Sequence, residues 1–293
     1  MSDSFAPNRR TLIAIRCVEY SEAVRQVALD MQIFFPDAGI VFVSDQRSRV
    51  QEFPPGVDVI PITKHKLDSL GLFHARENVG WVCGDYCYYL TLDMDWDFLW
   101  LVEADVAFTG DAGAIMREVN STNVDLIGTR IGERHFSWPW APRLLAASDI
   151  TSARGVFFPL TRVSRKLAEA ALAHRQRISS VLIANETLLV PNDEVVIAST
   201  AHAMGMDHTD LQAAYPEAFQ KWNWLVRYCR DELGSGVAPQ FVHPAHERED
   251  FVQRLSSGLA KALDAPGLLG SLAGASEQLR SAVLHSALKA ARS

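Results

Sequence analysis

Apolar positions along this chain repeat with strand periods in some segments and helical periods in others. Thr11 to Ile15 is a short apolar run containing β-branched residues, which predicts a first strand. From Ser21 to Phe35, the positions Val24, Val27, Ala28, Met31 and Phe34 recur at helical spacing. Gly39 to Asp45 then reads as a buried strand ending in polar residues. Pro54, Pro55 and Gly56 mark a turn before another short strand, Val57 to Ile62. Phe98 to Val102 (Phe-Leu-Trp-Leu-Val) is the most hydrophobic strand candidate, and so continuous a run suits a central parallel strand buried on both faces. A helix is expected over Ala112 to Val119 and a strand over Val124 to Thr129. Further helices are expected over Leu160 to Ala173 and Glu194 to Met204. Strands alternating with helices predict an α/β fold with a mostly parallel central sheet flanked by helices.

After residue 250 the composition changes. Phe251 to Leu263 and Leu268 to Ala291 are rich in Leu, Ala, Ser and basic residues, separated by Pro266 and Gly267. They predict a pair of amphipathic helices packed on the main domain. The expected organisation is therefore a catalytic domain over 1–250 and a C-terminal helical extension over 251–293. No stretch approaches the ~20 continuous apolar residues of a membrane span, and the first ten residues lack the apolar core of a signal peptide. The chain is expected to be cytoplasmic.

A net charge of -7 argues against a nucleic-acid partner, whose phosphates need a basic face. It leaves nucleotide binding open, because a divalent cation can bridge carboxylates to a diphosphate. Cys17, Cys83, Cys87 and Cys229 form no zinc-ligand spacing, so reduced, mostly buried thiols are expected.

Glu103 and Asp105 sit two apart at the end of the strongest strand. Ligands of open α/β sheets bind beyond the carboxyl ends of strands. Two carboxylates around a small residue can converge there on a hard cation, and such a cation neutralises a diphosphate leaving group. A solvated acidic turn is the plain alternative. Pro191-Asn192-Asp193-Glu194 opens a helix, with Asn192 or Asp193 as N-cap and Glu194 in the first turn. Phe241-Val-His243-Pro-Ala-His246 places two histidines just before the terminal helices. No Gly-x-Gly-x-x-Gly loop follows the first strand and no P-loop is present, which disfavours a dinucleotide-binding enzyme.

The passage Phe98-Leu-Trp-Leu-Val-Glu-Ala-Asp-Val106, together with Gly80-Trp-Val-Cys-Gly-Asp-Tyr86 upstream, resembles the GT-A glycosyltransferases. These enzymes carry an Asp-x-Asp motif, or a variant of it, after a hydrophobic strand. The resemblance covers roughly the first 250 residues and implies a GT-A (nucleotide-diphospho-sugar transferase) fold. It also implies metal-dependent transfer of a sugar from a nucleoside diphosphate sugar, a UDP-sugar being favoured, to a glycan or other hydroxyl acceptor. A place in cell-surface glycan synthesis would accord with that. By the same resemblance Asp105 is the ligand of Mn²⁺ or Mg²⁺, Glu103 its companion on ribose or metal, and His243 a further ligand, with His246 as the alternative. Glu194, or Asp193 beside it, would be the general base on the acceptor if the reaction inverts. Arg16 and Asp45 would hold base, ribose or phosphate, and Asp85 base or ribose. Arg154 and Gly155 would line the donor phosphate and sugar. Each has a plainer reading: caps or surface pairs for Arg16 and Asp45, a strand with a solvent-facing Arg for Arg154. Trp138 and Trp140 could stack on a sugar ring or plug a loop, whereas Trp222 and Trp224 are expected in the core. A nucleotidyltransferase is one alternative function, although the expected glycine-rich basic loop is missing after Ile15. A non-catalytic nucleotide- or carbohydrate-binding protein is the other.

Overall fold

A computed structural model of the protein describes residues 10–76, 79–260 and 267–290. The chain divides into two compact units, one comprising residues up to Ala104 and Val119–Ala214, the other Asp105–Glu118 and Tyr215–Ser293. This division falls elsewhere than the composition change at Phe251. The segment from Tyr215 and the strand around Phe108 group with the terminal helices.

The first unit is built on a seven-stranded sheet. Its strands are β1 (Thr11–Cys17), β2 (Gly39–Asp45), β3 (Val59–Ile62), β4 (Phe98–Glu103), β6 (Leu126–Glu133), β7 (Arg154–Ser164) and β8 (His208–Asp210). Strand β5 (Ala107–Thr109) belongs to the second unit. The order across the sheet is β3-β2-β1-β4-β7-β6-β8. Pairing is parallel throughout except at β7, which runs against both β4 and β6. The expected mixed α/β fold with a mostly parallel sheet is therefore present. Strand β4 lies between β1 and β7 with Leu99 to Val102 at 0 % exposure, as its uninterrupted apolar run requires. Parallel register pairs Arg16 on β1 with Glu103 on β4, bringing both side chains to the carboxyl ends of neighbouring strands.

Most predicted elements form within a few residues of their expected bounds; two differ for physical reasons. Leu160–Ser164, expected to begin a helix, completes β7, because this segment pairs with β4 on one side and β6 on the other. The helix starts only at Arg165, where the Ser164 hydroxyl caps it by accepting from the Leu167 amide at 3.1 Å. The second terminal helix is broken into Leu268–Gly274 and Glu277–Ala290. Ser276 restarts it, its hydroxyl accepting from the Leu279 amide at 3.2 Å.

The second unit contains a three-stranded sheet of β5, β11 (Gln240–His243) and β9 (Lys221–Trp222), and a strand pair β10 (Tyr228–Cys229) with β12 (Ala245–His246). Phe219 and the strand residues Phe241, Phe108 and Trp222 pack against one another as stacked and edge-on rings. Phe251, Leu255, Leu279 and Val283 seal the terminal helices together. Trp222 is in the core as expected, but Trp224 is 59 % exposed. No helix among the described residues is long and apolar enough to cross a membrane.

All four cysteines are buried and unbridged. Burial pushes the Cys17, Cys83 and Cys87 thiols up to about 12, so little reactive thiolate exists at neutral pH. A thiol reagent at pH 7 is expected to label essentially none of them in the native protein and all four after denaturation in urea. Rapid native labelling of Cys83 or Cys87 would show that their surroundings open readily.

Candidate functional site

In the first unit, Arg16 organises the carboxyl edge of the sheet. It donates to Glu103 at 2.6 Å, to the carbonyls of Gly80 and Trp81 at 2.6 and 2.7 Å, and lies 3.6 Å from Asp193. Its guanidinium is thus committed to protein groups. The expectation that Arg16 contacts a base or phosphate is corrected: it clamps the Gly80–Trp81 turn to the sheet. Asp45 is likewise paired through both oxygens to Arg47, at 2.9 and 2.7 Å. Burial would raise its carboxyl, but the Arg47 contacts outweigh this and hold it below the usual range.

Asp85 corrects another expectation. It is fully buried and takes two hydrogen bonds from Arg175, at 2.7 and 2.8 Å, and one from the Tyr89 hydroxyl at 2.8 Å. No surface remains for a ribose. Arg175 also donates to the Pro191 carbonyl at 2.8 Å, so this buried ion pair holds the segment that leads into Asp193 and Glu194.

Those adjacent acids have different surroundings. Asn192 is the N-cap of the helix Asp193–Ala203, its side chain accepting from the Val195 amide at 3.1 Å. Asp193 is 4 % exposed, and its two oxygens accept from the amides of Gly84 and Glu194, both at 2.8 Å. Both oxygens serve the local fold. Glu194 is less enclosed and accepts one side-chain bond, from Asn192 at 3.0 Å. Burial raises its carboxyl to about 7 against the lowering pull of that bond, and the negative charge of Glu103 adds to the rise. A carboxyl poised near neutral pH can accept and return a proton under physiological conditions.

Arg154 has its Nε buried without a hydrogen-bond partner, while its main chain is tied to the Ser199 hydroxyl. Gly155 faces Arg134 and Trp138. A Cβ there would lie 2.6 Å from the Arg134 Nε and 3.0 Å from the Trp138 ring. Arg134, not singled out by sequence, occupies the space that glycine leaves. Only its position just after an apolar strand could have drawn attention to it.

In the second unit, the turn that carries Asp105 meets strands β11 and β12. The Asp105 carbonyl accepts from the Ala245 amide at 2.7 Å, and its carboxylate lies 3.4 Å from His243 Nε2. His243 Nδ1 is 2.7 Å from the Asn223 carbonyl. A carbonyl can only accept, so Nδ1 carries the proton and Nε2 turns toward Asp105. A neutral imidazole nitrogen and a carboxylate facing one another are both acceptors, and either a proton on Nε2 or a shared cation resolves the clash. Fixing the far nitrogen by a carbonyl is also how a metal-ligating histidine is oriented. Burial favours protonation of Asp105, but the hydrogen bond with His243 outweighs it and holds the carboxyl below the usual range. A carboxylate with an oriented imidazole suits Mn²⁺ and tolerates Mg²⁺. His246 Nδ1 instead lies 3.0 Å from Asp250, and burial takes its imidazole down to about 4. His243 is the histidine seated against the acid.

No family model matches this sequence, and neither does any curated protein. Among solved structures, mouse xyloside xylosyltransferase 1 in its apo form is 10 % identical, with a TM-score of 0.36 over 75 % of this chain and 87 % of that one. The bifunctional IspDF of Campylobacter jejuni is 12 % identical with a TM-score of 0.36 over 69 % of this chain, which spans 49 % of that protein's length. A197 from STIV is 12 % identical with a TM-score of 0.31, covering 69 % and 81 % of the two chains. With likenesses this distant, a reading of the site rests on the side chains themselves.

Proposed function

We propose that this protein is a GT-A-type glycosyltransferase that moves a sugar from a nucleoside diphosphate sugar, with UDP the favoured carrier, to a hydroxyl acceptor. The observation that supports this most is the Asp105 carboxylate opposite an imidazole whose other nitrogen is fixed by Asn223. Asp105 and His243 would hold a divalent cation, whose chemistry is to offset the charge of a departing diphosphate. Glu103, two residues earlier on the same turn, is a further candidate ligand, though Arg16 already neutralises it.

Glu194 is the base in this reading. It accepts the proton of the acceptor hydroxyl as that oxygen attacks the sugar, which corresponds to inversion at the anomeric carbon. Asp193 positions it from behind by binding the Glu194 amide and the Gly84 amide. Arg154, its Nε buried without a hydrogen-bond partner, remains a candidate for the donor side, whereas the expected approach of a sugar to Gly155 is corrected by Arg134 and Trp138, which fill that space.

Calorimetric titration of UDP and GDP, each with and without Mn²⁺, tests the reading. UDP is expected to bind with Mn²⁺ present and at least about tenfold more weakly without it. Asp105→Ala and His243→Ala should each abolish the metal dependence. A wild-type protein that binds neither nucleotide under any condition overturns the transferase reading. Binding of equal strength with and without Mn²⁺ would favour a non-catalytic nucleotide-binding role.

A further inference from the structure

Strand β6 is irregular beyond Ile127. Its pairing with β7 shifts register between Ile127 and Thr129 and again between Thr129 and Gly132. Within that bulge Arg130 has φ 53, the only positive φ at a non-glycine position among the described residues. Bulges and left-handed residues of this kind re-aim side chains and cost free energy that the surrounding structure must offset. The effect here is to gather two guanidinium groups. Arg130 lies 5.3 Å over the Phe157 ring and donates to Gln212 at 3.2 Å. Its carbonyl accepts from Arg134 Nη2, and Arg134 in turn lies 5.4 Å over the Trp138 ring.

Several contacts hold Arg134 in place. Its amide donates to the Ala153 carbonyl at 3.0 Å, its guanidinium reaches only carbonyl oxygens, and Gly155 leaves the space its Nε occupies. No carboxylate lies within ion-pair distance of it among the described residues. The two acids whose charge reaches it are Glu194 and Asp210. Asp210 spends its oxygens on the amides of Ile131 and Ala213, at 2.8 and 3.0 Å. The half-buried guanidinium thus stands over a tryptophan beside a second guanidinium that repels it, with Glu194 and Asp210 acting on it only from beyond ion-pair distance. Guanidinium forks match carboxylate and phosphate oxygens, and an adjoining aromatic face suits a sugar ring.

We infer that Arg134, backed by Arg130 and flanked by Trp138, binds the carboxylate or phosphate group of an acidic acceptor sugar. Its assignment to the acceptor rests on the reading of Glu194 as the base, because the charge of Arg134 acts on that carboxylate. Specificity for an anionic sugar then comes from this chain's own β6–β7 bulge.

The test uses glucuronic acid and glucose 6-phosphate as probes, with neutral glucose as control, measured by saturation-transfer NMR and calorimetry without metal or nucleotide. Wild type is expected to bind the acidic sugars about 10- to 100-fold more tightly than glucose. Arg134→Met should remove that preference while leaving Mn²⁺-dependent UDP binding unchanged. Gly155→Ala, which crowds the guanidinium, should weaken the acidic sugars in the same direction, with thermal melting confirming that both variants are folded. Equal binding of all three sugars by wild type, or an unchanged preference in Arg134→Met, overturns the inference. A loss of UDP binding in Arg134→Met equal to the loss of acidic-sugar binding also overturns it, assigning the arginine to the donor diphosphate. Acidic-sugar binding without any nucleotide binding leaves the anion site standing and removes the transferase reading alone.

Discussion

Glu194→Gln is expected to lower turnover of a nucleotide sugar by about 10²- to 10⁴-fold, the usual contribution of a positioned general base. Mn²⁺-dependent UDP binding should be unchanged, because Gln keeps the shape and can still bond Asn192. In wild type, kcat/KM should rise with pH through about 7, where this carboxyl ionises. The variant should lose that limb of the profile. The same carboxyl affects stability with a definite sign. Its folded value of about 7 lies above its ordinary 4.5, so the native state binds the proton more tightly than the unfolded chain does. The native state is therefore favoured most below 4.5, and stability declines as pH rises from there through 7. Glu194→Gln removes the ionisation and should be more stable than wild type at pH 8, by on the order of 2 kcal/mol, but not at pH 4. Urea denaturation at the two pH values measures this. A variant as active as wild type at pH 8 would remove Glu194 from the chemistry, whatever its stability.

Asp85→Ala should have the largest effect on folding. It strips the buried Arg175 guanidinium of its bidentate partner and leaves the Tyr89 hydroxyl without an acceptor. Breaking a buried pair from one side costs about 3–5 kcal/mol, because the remaining charge is stranded away from water. Arg175→Met combined with Asp85→Leu should recover most of that loss, since neither charge then remains. Both are read from the urea midpoint at constant slope. A cost under about 1 kcal/mol for Asp85→Ala would mean that water or another residue readily replaces the carboxylate.

The distance between the expected and observed roles of the acids follows one physical pattern. Asp85 was expected on a base or ribose, and Asp193 and Glu194 at a helix start as cap or general base. Spacing cannot tell which of them meets an arginine or an amide, because Arg175 and Gly84 are about 90 and 109 residues away from their partners. Arg16 and Asp45 were legible as strand-end residues, but not as members of closed ion pairs with Glu103 and Arg47. Arg134 was invisible for the opposite reason. Its interest lies in a missing partner, and a sequence shows only which residues are present.

What the sequence determined by itself was local and periodic. The continuous apolar run of β4, the helical spacing before Phe35 and the turn signals at Pro54 to Gly56 follow from side-chain period and backbone sterics, and these act between near neighbours. A helix cap at Asn192 or Asp193 and the Glu103-Ala104-Asp105 turn were readable on the same ground. Only the tertiary structure decided that Leu160–Ser164 is a strand, since partners on both sides offer its backbone a sheet ladder in place of a helix. It also decided that Asp193 is spent on the fold while Glu194 is raised to about 7, and that His243 rather than His246 is seated against Asp105. These outcomes depend on burial and on hydrogen-bond partners distant in sequence, which exist only once the chain has folded.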